Sequence, residues 1–88
     1  MPVFAIERDP NAHEAFVDWI GGNPTGFVIN CKSSQNIMMH LATCGHFKPL
    51  SEWAKANSLK ACSLDRTKLE NWAEVEGLKG LKHCHCLR

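Results

Sequence analysis

The sequence predicts an α+β fold in which a small antiparallel sheet packs against two main helices. Two stretches with apolar residues at helical spacing, residues 12–20 and 64–73, each sit at a capping residue. Between them, residues 26–31 and 37–42 are β-leaning runs joined by a polar segment of hairpin length. At 88 residues the chain suits one domain, 1–88, near the lower end of what buries a self-sufficient core, so any added staple matters. Hydrophobic residues make up 44% and charged residues 22%, which excludes a disordered tail or a low-complexity linker.

The first strand is expected at Val3-Phe4-Ala5-Ile6, ended by Glu7-Arg8-Asp9 and by Pro10, whose ring cannot continue a ladder. Asn11 is placed to cap the first helix, with Glu14 reaching back to it. Ala12, Ala15, Phe16, Trp19 and Ile20 line one face of that helix, and Gly21-Gly22-Asn23-Pro24 stops it. In the hairpin, the period of two sets Phe27, Ile29 and Cys31 on one face, and Met39 with Leu41 opposite Met38, His40 and Ala42. Asn30 and His40 are expected on the less buried face. Residues 43–49 look turn-like around Gly45 and Pro49, residues 51–57 fit a short helix, and residues 59–62 fit a third strand returning to the hairpin. Asp65 caps the second main helix, Leu64 is expected to staple onto Leu69, Trp72 and Ala73 extend the apolar face, and Gly77 ends it. The last stretch, 78–88, has no helical period.

Five cysteines, Cys31, Cys44, Cys62, Cys84 and Cys86, leave one thiol over in any disulfide scheme. Residues 1–9 carry no basic leader and meet acid after a four-residue apolar run, so a cytoplasmic protein is expected. No apolar stretch approaches the roughly 18 to 20 residues of a membrane span. In a reducing compartment, clustered Cys and His point to metal or reactive thiols. Net charge is +1, with four acids and one base in residues 1–30 against nine bases and five acids in residues 31–88. That leaves the later half mildly cationic, a pattern that ordinary surface pairing also produces.

Zinc takes four thiolate or imidazole donors in a tetrahedron, and donors close in sequence form its clips. Cys44 and His46 flank a glycine, the tail offers His83-x-x-Cys86 or Cys84-x-Cys86, and Cys62 ends a strand. The least ambiguous set is Cys44, Cys62, His83 and Cys86, with Cys84, His85 and His46 as substitutes. Such a site would staple the C-terminal tail to the body, supplying what the missing core does not. Four protein donors leave no open position, which makes the site structural and not catalytic. The rival is that Cys31, Cys44 and Cys62 are buried small hydrophobes and residues 83–86 a disordered tail, and for Cys31 alone that rival is favoured.

Gly26-Phe27-Val28-Ile29-Asn30, Met39-His40-Leu41-Ala42-Thr43-Cys44, Lys60-Ala61-Cys62-Ser63, a helical Leu69 and Trp72, and the closing Cys-rich pair resemble small uncharacterised bacterial domains. Their pattern is G-[FY]-V-[IL]-N, L-H-R-A-x-C, K-x-C-S and C-x-x-C, matched over residues 25–86. Leu41 stands where the pattern has arginine, which removes an anion contact. His83 stands at the first cysteine of the closing pair, which preserves a zinc donor. The resemblance implies that His40, Cys44, Cys62 and Cys86 belong to one site or to neighbouring ones.

His40 and Cys44 could form a nucleophile pair, but no third orienting group is evident, so an enzyme is disfavoured. Neither G-x-x-x-x-G-K-[ST] nor G-x-G-x-x-G occurs, so no nucleotide cofactor is expected. Trp19 and Trp72 fall on apolar helical faces. The residues favour a zinc-stabilised recognition or adaptor domain that binds nucleic acid weakly through its mildly basic face, with His40, Lys48, Trp53 and Lys60 as contacts. The alternatives are a protein–protein interaction module with structural zinc and a thiol or metal-dependent enzyme. No membrane role is expected.

Overall fold

The two β-leaning runs form the centre of a five-stranded sheet. The computed structural model describes residues 2–5, 9, 11–44 and 59–87. Its elements are β1 (Val3–Ala5), α1 (Ala12–Gly22), β2 (Phe27–Ser33), β3 (Asn36–Leu41), β4 (Leu59–Ser63), α2 (Arg66–Val75), β5 (Lys82–His83) and a short 3-10 turn at His85–Leu87. The strand order is β1-β4-β2-β3-β5. The pairs β1–β4, β4–β2 and β2–β3 are antiparallel, while β3–β5 is parallel. This is the expected α+β architecture, and the hairpin and the returning strand lie where the sequence placed them. The predicted turn beyond Cys44 and the short helix at 51–57 lie outside the described residues.

Register sets the two faces. Val28 pairs with Cys62 on one side and His40 on the other, and Ile29 pairs with Ala61 and Met39. Cross-strand partners share a face, so Cys62, Val28 and His40 form one row under α1, and Ala61, Ile29 and Met39 form the next row on the opposite face. Phe16 and Ile20 of α1 pack into the first cluster; Leu69 and Ala73 of α2 pack into the second. Asn30 and His40 do share a face, but it is covered: they are 3% and 0% exposed. A helix on each side of the sheet removes the polar face that simple alternation implies.

Local chemistry explains how each helix begins and ends. Asn11 has helical backbone angles and makes no side-chain cap, in contrast to the expected capping box. A capping side chain needs an extended backbone to reach the following amides. Asp9 serves the turn instead, with Oδ1 accepting from Asn11 N at 2.9 Å and its carbonyl accepting from Ala12 N at 3.0 Å. Asp65 is extended and its Oδ1 accepts from Thr67 N at 2.9 Å, as expected. Leu64 is 59% exposed and forms no staple, while Leu69 is sealed against the sheet. At the end of α2, Gly77 has a φ of +72°, Gly77 N donates to Glu74 O at 3.1 Å, and Leu78 N donates to Ala73 O at 2.9 Å. This paired closure is a Schellman motif. It turns the chain back toward the sheet, where Lys79 N donates to Ser34 O at 3.1 Å and β5 joins β3. Among the described residues no helix is long and apolar enough to cross a membrane.

Candidate metal centre

Three short segments converge at the β3–β5 edge. His40 lies on β3 and faces α1. Cys44 N donates to Leu41 O at 3.0 Å, closing a turn that folds Cys44 back over the strand end. That brings Cys44 Sγ to 3.6 Å from His40 Nδ1. On the other side, Cys84 N donates to Met39 O at 2.9 Å and carries the parallel ladder one residue past β5. Side chains alternate along a strand, so His83 is exposed and Cys84 turns inward. The 3-10 turn, with Leu87 N donating to Cys84 O at 3.0 Å, then returns Cys86 to the same spot.

His40, Cys44, Cys84 and Cys86 each offer one ligand atom, and these atoms all lie within 4.8 Å of one another. Cys44 Sγ and Cys84 Sγ are 3.8 Å apart. With zinc–sulfur bonds of about 2.3 Å and zinc–nitrogen bonds of about 2.0 Å, a tetrahedron has edges of about 3.8 Å between sulfurs and about 3.5 Å between sulfur and nitrogen. The spacing therefore suits a metal ion of that size. His40, Cys44 and Cys84 are buried and Cys86 is half-buried.

Amides point at the sulfurs. Leu41 N donates to Cys86 Sγ at 3.2 Å. Burial acts to raise the Cys84 thiol, but the backbone N–H of Cys86, the Cys86 and Cys44 side chains and the backbone N–H of His85 outweigh it, holding the thiol below its ordinary range. Such N–H···S bonds favour thiolates and fix ligands in place. The other two cysteines have no such support. Burial, opposed only by the charge of Lys60, pushes Cys31 up to about 11 and Cys62 up to about 12. Both remain protonated thiols at neutral pH. Cys31 also lines a separate cleft of about 330 Å³ between the sheet and α2, beside Leu59, Trp72 and Leu78.

Of the expected ligand set, the structure brings Cys44 and Cys86 together. His40, expected as a surface contact and also, through the resemblance, beside Cys44 and Cys86, and Cys84, a substitute, complete the group. Cys62 and His83 lie outside it. Cys62 shares the face and row of His40, but Val28 stands between them, and two strand spacings of about 4.8 Å separate the backbones. His83 is one residue out of phase. Of the expected binding residues, Lys60 is 0% exposed, with Nζ donating to Asn30 Oδ1 at 3.0 Å and sitting 5.4 Å from the Phe16 ring centroid. His40 is equally buried. Neither can touch a partner from the surface, because α1 covers their face. Lys48, Trp53 and the substitute His46 lie outside the described residues, and His85 is exposed. The signal for the actual group was the four-residue step from His40 to Cys44 across a turn, with the Cys84-x-Cys86 pair.

Comparison with protein-family profiles, curated proteins and solved structures finds no match to this chain.

Proposed function

We propose that this chain is a recognition module whose tail is fixed to its sheet by a structural zinc ion held by His40, Cys44, Cys84 and Cys86. One observation carries this: four soft or borderline donors from separate segments meet within 4.8 Å. Three thiolates and an imidazole form a standard closed zinc set with no position for a substrate. The same closeness favours a ligand role for the His40–Cys44 pair over nucleophile and base, since Cys84 and Cys86 share the space. The resemblance to small bacterial domains implies a set with His40, Cys44 and Cys86, which supports the reading, and with Cys62, which stands outside the group.

Nucleic acid is the partner class that the charge distribution favours. Residues 77–88 contain no acid, and Lys79, Lys82, His83 and His85 are exposed along the edge that the metal would hold. Lys79 is tied to Ser34 in the β2–β3 turn, near exposed Lys32. Glu14, Asp18, Glu70 and Glu74 lie on the helices, and Glu76, at the end of α2, shares a cleft with Lys32. A net charge of +1 thus conceals a local cationic edge suited to phosphate contacts. A protein-binding module is the second reading, supported by Val3, 41% exposed on the outer strand β1 of the described sheet.

The test is elemental analysis of protein purified under reducing conditions, followed by fluorescence anisotropy with a single-stranded oligonucleotide at low and moderate salt. One zinc per chain and salt-sensitive binding that falls in Lys79→Ala/Lys82→Ala are expected. A metal-free chain overturns the zinc site, and a zinc-loaded chain that ignores the oligonucleotide leaves the protein-binding reading in its place.

A further inference from the structure

We propose, resting on the zinc reading above, that the metal centre is also a hydroperoxide-sensitive switch in which Cys86 is oxidised first and Cys44 resolves it. Cys86 is the half-buried member of the group, whereas Cys44 is 7% exposed, Cys84 6% and His40 0%. A peroxide reaching the cluster from solvent meets Cys86 before the others. The Leu41 amide donates to Cys86 Sγ at 3.2 Å and fixes the position of that sulfur. The sulfurs of Cys44 and Cys84 lie within 4.8 Å of it, close enough for a second thiol to follow.

The chemistry balances with hydrogen peroxide as oxidant. The Cys86 sulfur attacks one peroxide oxygen, the O–O bond breaks, and hydroxide leaves to become water with one proton, giving a sulfenic acid. The Cys44 thiolate then attacks the sulfenic sulfur, an S–S bond forms, and a second hydroxide leaves as water. Two thiols lose two electrons and one peroxide gains them. A disulfide sulfur is a poor zinc ligand, so only His40 and Cys84 remain and the ion is released. Cys44 is the resolving thiol because its bond to Cys86 links two segments already in contact. A Cys84–Cys86 bridge would close over a single residue and distort the turn that begins at His85. The oxidised tail is thus held by a covalent bond in place of the metal.

The experiment treats the zinc-loaded full chain with limiting hydrogen peroxide and dimedone, follows zinc with a coloured chelator, and maps adducts and disulfides by peptide mass spectrometry. Expected are a dimedone adduct on Cys86, a Cys44–Cys86 disulfide without dimedone, one zinc released per disulfide, and recovery with dithiothreitol and zinc. In Cys44→Ser the Cys86 adduct should accumulate. Buried Cys31 and Cys62 serve as internal controls and stay unmodified. First modification at Cys44 or Cys84, a Cys84–Cys86 bridge, or zinc retained until the thiols are overoxidised would overturn the switch alone. A chain that takes up no zinc overturns the metal reading and the switch together.

Discussion

Cys62 and Cys84 belong to the same apolar cluster, yet their chemistry diverges because only one of them faces amide donors. Cys62 is pushed up to about 12 by burial, while the N–H groups of the tail draw Cys84 down. Removing each separates the roles. Cys62→Ala should cost about 1–2 kcal/mol of stability and leave zinc affinity unchanged, whereas Cys84→Ser should weaken zinc by more than roughly 100-fold; competition with a chelator of known affinity measures both. Lys60 gives a second residue-scale prediction. Burial lowers it to about 8 from 10.5, ahead of smaller opposing effects from Cys62 and Cys31 and a smaller supporting one from Lys32. Between these values the unfolded chain binds more proton than the folded one, so Lys60 destabilises the fold at neutral pH and that penalty lifts as pH rises through 8. Cys31 and Cys62 act oppositely, because the unfolded chain loses their protons first above pH 9. Up to pH 9 both thiols stay protonated in the folded chain with or without the Lys60 charge, so comparison with Lys60→Met isolates the lysine there. Relative to that variant, the wild-type protein should gain about 1 kcal/mol between pH 8 and 9 in urea titrations at saturating zinc.

At the scale of elements, what could be read in advance was whatever is local. The Asp65 cap and the Gly77 stop of α2 each depend on a few adjacent residues, and both hold. The hairpin was legible because alternation and a polar turn lie within one short stretch. β5 was not, since a two-residue strand has no period and is defined only by its partner β3. That strand decides the site: its register with Met39 selects Cys84 over His83 as the inward residue. The burial of His40 was not legible for a related reason, because nothing near it in sequence reveals that α1 covers its face. Cys44 and Cys86 were legible from ligand density alone, but Cys62 was excluded by strand order, a long-range property. The Gly77 closure ties these scales together, since it aims the tail at the β3 edge. Gly77→Ala forces a side chain into a left-handed conformation and should lower stability by about 1 kcal/mol. It should also weaken zinc, whereas alanine at the solvent-facing Gly21, with nothing within 4 Å of its added carbon, should leave zinc affinity unchanged. Thermal melts and chelator competition on the two variants make that comparison.

Across the whole molecule, the tail straddles the sheet. Leu81 and Leu87 pack against the α2-side cluster, while Cys84 and Cys86 join the α1-side cluster. In a domain this small, the apolar contribution of a two-residue strand and one short turn is modest, so the metal would supply much of what holds them. The centre of the sheet has other support: Val28, Ile29, Ala61 and Cys62 are each 0% exposed between two helices. Metal removal should therefore act unevenly. Zinc at 1,000 times its dissociation constant stabilises the bound fold by about 4 kcal/mol, and its loss should open the edge before the centre. Hydrogen exchange after chelation is expected to show the amides of Cys84 and Leu41, which donate to Met39 O and Cys86 Sγ, losing protection first. The amides that pair β2 with β4 should exchange only with global unfolding. If both sets lose protection together, the ion is a determinant of the entire fold. If neither changes, the tail is held by its leucines and the proposed centre has no structural role.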